Sequence, residues 1–151
     1  MKKILIILLL IFFLCGCTKV SKEKEEYLNY IAELKKVNES SREYPFEIEV
    51  KYDKIIDQEV RYQVIIDSVK EDITDITMIA YHNKKTSDIY PSIGIFDEKE
   101  SLLKDKKPSG LILVGYIPYK GDLKDFNITM KVLVKYKIKN KEYKIHYVTK
   151  K

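Results

Sequence analysis

From Phe126 to Ile138 every even-numbered position is apolar (Phe126, Ile128, Met130, Val132, Val134, Tyr136, Ile138), while the odd positions are mostly polar. A helix turns every 3.6 residues and would scatter such a set around its axis; a strand with one face on a core keeps it together. Tyr143, Ile145 and Tyr147 follow on the opposite parity. A two-residue turn at Asn140-Lys141 sets Ile138 opposite Tyr143, Tyr136 opposite Ile145 and Val134 opposite Tyr147, so every apolar pair lands on one face. A half-buried antiparallel pair of this kind has to meet a second layer.

The same period appears earlier. Phe46, Ile48, Val50 and Tyr52 alternate with charged residues, and Val60, Tyr62, Val64 and Ile66 repeat the pattern after Asp57-Gln58. Shorter apolar stretches follow at Ile76–Ala80, Ile89–Phe96 and Leu111–Ile117, separated by turn-forming residues. Seven strands with no helix between them predict a mainly β domain over 45–151, a seven-stranded antiparallel immunoglobulin-like sandwich, with an open barrel as the alternative. Asp67-Ser68 through Tyr81, and Lys107-Pro108-Ser109-Gly110, resemble the FxLYD-type and telokin-like modules of bacterial surface lipoproteins. Tyr81 stands at the tyrosine of that pattern, with Met78, Ala80 and His82 in place of its Phe, Leu and Asp. The resemblance implies an immunoglobulin-like fold and carries over no catalytic residue.

The chain begins with Met1-Lys2-Lys3 and an uncharged run whose strongly apolar part ends at Leu14, short of the roughly 20 residues a spanning helix needs. It has the form of an export signal. Leu14-Cys15-Gly16-Cys17 resembles the bacterial lipobox. That resemblance implies cleavage after residue 16, a diacylglycerol thioether and palmitate-type acylation at Cys17, and an address on the outer face of the cell membrane. Two acyl chains suffice for stable anchoring. Cys15 and Cys17 are the only cysteines, so the mature chain is left with no disulfide and no thiol nucleophile. Abundant Lys, Ile and Tyr, with Ala only at 32 and 80, suit AT-rich coding and a Gram-positive source.

Residues 17–44 read as a lipidated tether containing one amphipathic helix at about 22–37. Tyr27, Tyr30, Ile31, Leu34 and Val37 recur at three and four residues, Ser21 suits the N-cap, and Glu23, Glu25, Glu26 and then Lys35, Lys36 suit the two ends of the dipole. A helix this short is marginal alone in water, so packing on the domain is expected over a free spacer.

Catalytic motifs are missing: the sequence has no G-x-S-x-G, no glycine-rich phosphate loop, no H-E-x-x-H and no cofactor motif. His82 reads as a turn residue at a strand end and His146 as solvated. Asp53, Asp57, Asp67, Asp72 and Asp75 are read as strand-end and turn acids rather than a Ca²⁺ site. Two features stand out. Apolar residues occupy outward parity in two groups, Ile65, Ile112, Val114 and Tyr116, and Ile79, Tyr81, Leu133 and Val148. The helix should cover one group, and the second of them is taken as the candidate apolar partner patch. Lys131, Lys135, Lys137, Lys139 and Lys144 are also expected to share one face, with Lys137 opposite Lys144 and His146 beside Lys135, as a candidate surface for an anionic envelope polymer or lipid head groups. The formal charge of +5 is too mild to imply nucleic acid. The expected role is a non-enzymatic binding module of the cell envelope with membrane lipid attached at Cys17 and another envelope protein or an anionic envelope polymer as partner; a small-ligand or metal carrier is the alternative, and an envelope enzyme a remote one.

Overall fold

A computed structural model describes residues 21–56, 58–86, 89–106 and 110–151. The signal segment, the lipobox and Cys17 lie outside the described residues, as do Asp57 and Lys107-Pro108-Ser109. Among the described residues the architecture is mainly β: one helix, α1 (Lys22–Lys36), precedes β1 (Glu47–Ile56), β2 (Glu59–Asp67), β3 (Ile73–His82), β4 (Ser92–Ile93), β5 (Glu100–Leu102), β6 (Gly110–Pro118), β7 (Thr129–Ile138) and β8 (Lys141–Lys150). A three-stranded antiparallel sheet runs β1-β2-β6, and a second sheet runs β4-β3-β7-β8 with β5 also paired to β3.

Alternation builds both sheets. Val60, Tyr62, Val64, Ile66, Leu113 and Ile117 of the first face Ile76, Met78, Ala80, Met130, Val132, Val134 and Ile145 of the second, and all are buried in one core. Fully burying an aliphatic side chain contributes about 1.5–3 kcal/mol, so the layered pairing is where the fold draws its stability.

Among the described residues eight strands form rather than seven. Only Ser92 and Ile93 of the expected 89–96 strand pair, with Ile79 and Met78. Gly94 ends the pairing with a φ of 73°, its N–H donating to Asp97 Oδ1 at 2.6 Å. A side chain at Gly94 would overlap the Ile76 carbonyl. Glu100–Leu102 adds a strand the sequence pattern did not announce. Strand β7 starts at Thr129, after a 3₁₀ turn at Leu123–Asp125, although Phe126 and Ile128 are buried in the core.

The β7–β8 turn sits one residue earlier than expected. Lys139 and Asn140 take φ of 48° and 66°, the pair of left-handed conformations that a tight hairpin requires, and Asn tolerates this well. The register therefore shifts by two residues, to Tyr136 opposite Tyr143, Val134 opposite Ile145 and Val132 opposite Tyr147. A shift of two keeps every side chain on its face but changes its partner. In β3 a bulge between Thr74 and Thr77 places Asp75 at φ 52° and resets the inward parity from Ile73 to Ile76.

Candidate functional site

The outer face of the larger sheet is covered by α1. Ser21 caps it, its hydroxyl accepting from Lys24 N–H at 3.3 Å. Tyr27, Tyr30, Ile31 and Leu34 are buried against Ile79, Leu133 and Ile95, with Tyr81 half-buried beside them. Val148 is half-buried at the β8 edge, where its N–H donates to Ser40 Oγ at 2.8 Å. The group expected as an open apolar patch (Ile79, Tyr81, Leu133, Val148) is thus largely the seat of the helix, and the expectation is corrected on that ground.

Polar contacts around the seat explain why the helix lies on this sheet. Lys131, itself buried, reaches Lys35 O at the helix C-terminus with its ammonium at 3.2 Å, as a cation there should. Glu33 meets Lys144 Nζ at 2.8 Å and 2.9 Å through its two oxygens, and His146 Nε2 at 2.7 Å. Burial pushes the Glu33 carboxyl up, but the hydrogen bonds and charges of Lys144 and His146 outweigh it and hold the group below its ordinary range. His146 is therefore a partner of the helix and not a solvated residue.

The lysine face is internally paired. Lys137 faces Glu142 and Lys135 faces Lys144, which corrects the expected Lys137 to Lys144 opposition; His146 stands opposite Leu133, not Lys135. Lys135 pairs with Glu142 at 3.3 Å and Lys137 with Asp75 at 2.6 Å, the bulge having turned that carboxylate toward it. Lys139 is exposed in the turn. Of the aspartates once grouped, Asp53 pairs with Arg61 and Asp72 accepts from Lys104 N–H, and the β1–β2 register sets Asp53 and Asp67 at opposite ends of the sheet. Among the described residues no cluster of three metal-ligating side chains forms.

The other outward apolar group remains open. On β6, Ile112, Val114 and Tyr116 are 53%, 38% and 48% exposed, and Ile65 lies opposite Ile112 on β2, half-buried. No charged residue occurs from Gly110 to Pro118. Ile89, also exposed, borders the same strand across a cavity of about 200 Å³ whose floor is Tyr62 and His82. His82 is only 2% exposed and its Nδ1 has no partner, so it belongs to the interior and is not a turn residue. Burial holds its imidazole below the ordinary value. Gly115 lets the Tyr62 ring lie directly on the β6 backbone, where a Cβ would overlap it.

A second concavity, an open cleft of about 670 Å³, lies between the segment before β1 and the β7–β8 hairpin, lined by Arg42, Tyr44, Lys70, Glu71, Tyr136 and Tyr143 among others. Comparison with known proteins found no matching family model, no similar curated protein and no similar solved structure.

Proposed function

We propose that this chain is an exported lipoprotein, anchored through acylated Cys17 to the outer face of the cell membrane, whose sandwich is a non-enzymatic binding module. The observation that carries the reading is the open, uncharged face of β6, because contiguous exposed apolar surface on a soluble domain commonly marks a protein interface. The lipobox sequence supports the address. The finer fold reading is immunoglobulin-like: strands one, two and six on one sheet, with three, seven and eight on the other, match the A-B-E and C-F-G arrangement of that class. The test is a pull-down from solubilised membranes with the anchor intact, comparing the native chain with Ile112→Lys/Tyr116→Lys. Loss of the captured partner in the variant supports the reading, and equal capture by both sinks it.

A second reading, carriage of a small ligand, draws on the cleft between Tyr44 and Tyr143, whose size lies within the range of ligand pockets. A saccharide or peptide fragment of the envelope that raises the melting temperature of the native chain but not of Tyr143→Ala is the outcome that favours it.

A further inference from the structure

Each sheet edge exposes a row of main-chain N–H and C=O groups that templates another strand unless the molecule blocks it. Among the described strands nearly every edge is blocked. On β8 the linker does so, with Ser41 N–H donating to His146 O at 2.8 Å, Val148 N–H donating to Ser40 Oγ, and Lys144 and Lys150 on the same edge. Strand β1 carries Glu47, Glu49, Lys51, Asp53 and Lys54. Strands β4 and β5 are only 2 and 3 residues long. The exception is β6, 9 residues without a charge at the end of its sheet. No backbone hydrogen bond joins its free side to another described residue.

The direction of its free groups can be derived. Tyr119 N–H donates to Gln58 O at 2.8 Å, just beyond the last β2–β6 pair, Glu59 with Pro118. In an antiparallel ladder hydrogen-bonded pairs alternate, so Ile117, Gly115, Leu113 and Leu111 point their amides at β2, while Ile112, Val114 and Tyr116 point theirs outward. Pro118 falls on the outward set, where a missing N–H breaks no bond within the sheet.

We infer that a second copy of this chain occupies the edge, β6 pairing antiparallel with β6 about a two-fold axis at Val114. Full overlap sets Val114 against Val114 of the other copy and Ile112 against Tyr116, outward amides meeting outward amides. Ile112 then lies between Ile65 and the neighbour's Tyr116, so apolar side chains meet with no charge opposed to a like charge. The two small sheets become one continuous sheet, and the interface is isologous, as a two-fold requires. This rests on the reading of β6 as the binding surface. Edge pairing alone buries modest area, and confinement of both copies to one bilayer raises their effective concentration.

The test uses the full anchored chain in membranes, whose native cysteines are only Cys15 and Cys17. Under mild oxidation Val114→Cys should form a disulfide-linked homodimer, because paired Cα atoms in such a ladder are about 5.5 Å apart, within disulfide reach. Ile112→Cys alone should not, since its two copies stand about 14 Å apart in this register. Ile112→Cys co-expressed with Tyr116→Cys should link again. Self-linking of Ile112→Cys at the rate of Val114→Cys, or no homodimer from Val114→Cys, overturns the pairing. If Val114→Cys links to a different envelope protein, the second copy is excluded and the binding-module reading stands. If it links to nothing and Ile112→Lys/Tyr116→Lys leaves the pull-down unchanged, both fall.

Discussion

Glu33 is the residue on which helix and sheet depend most directly, because one carboxylate takes hydrogen bonds from Lys144 and His146. Its folded value lies below that of the unfolded chain, so its contribution to stability is present above the unfolded carboxyl value of about 4.3 and disappears as pH falls through the folded value. Acid should therefore loosen α1 before the sandwich melts, seen as binding of an apolar-surface dye at a pH where strand signal by circular dichroism is unchanged. Glu33→Gln should bind the dye at neutral pH and flatten that response. Gly115 supplies a second test. Because the Tyr62 ring lies against its α-carbon, Gly115→Ala should cost about 1–3 kcal/mol by overpacking, read as a lower denaturant midpoint with unchanged slope. A glycine inside an apolar strand already signals a close approach in sequence; that the approaching group is Tyr62 depends on the β2–β6 register and is not written locally.

At the scale of elements, the helix and the long strands were legible because each repeats one period for long enough to exclude the other. Ser21 and the apolar stripe located α1 to within a residue of its end. The β7–β8 register was not legible to the residue, since Asn140 serves either position of a two-residue turn and both choices bury the same face. Strand β4 was expected too long, over 89–96, and β5 was missed, because two or three paired residues hold no period. The sequence shows two outward apolar groups of equal weight and does not say which of them a helix covers. What decides is the polar frame: Lys131, Lys144 and His146 surround Leu133 and match the helix C-terminus and Glu33, whereas β6 offers no such frame. Leu34, with 0% exposure at the centre of that contact, is the element-level test. Leu34→Ala should cost about 2–5 kcal/mol if α1 melts together with the sandwich. A main thermal transition left in place, with only dye binding increased, identifies α1 as a separately opening unit.

For the whole molecule, the address and the surface chemistry separate cleanly by experiment. Cys17→Ala should lose incorporation of a labelled palmitate analogue and accumulate as precursor, and label persisting on that variant removes the lipoprotein reading. Changing Lys135, Lys137 and Lys144 together to Gln should lower the melting temperature, since each of these ammonium groups holds a carboxylate of the same molecule. Solvent-exposed pairs of this kind each contribute little, so the fall should be small. Release from anionic vesicles at high salt with no change in melting is the opposite result and restores an anionic partner. The position of α1 also fixes how the molecule yields to a pull at its N-terminus. Load that reaches Ser21 meets the docked helix, then the Ser40 and Ser41 bonds to β8, before any strand of the three-stranded sheet. Peeling and unwinding its 15 residues, from 1.5 Å each to about 3.4 Å each, would lengthen the leash by roughly 30 Å with the sandwich intact. The helix is in that sense a folded reserve of length, a mechanical fuse between whatever holds the chain at one end and whatever grips the sandwich at the other.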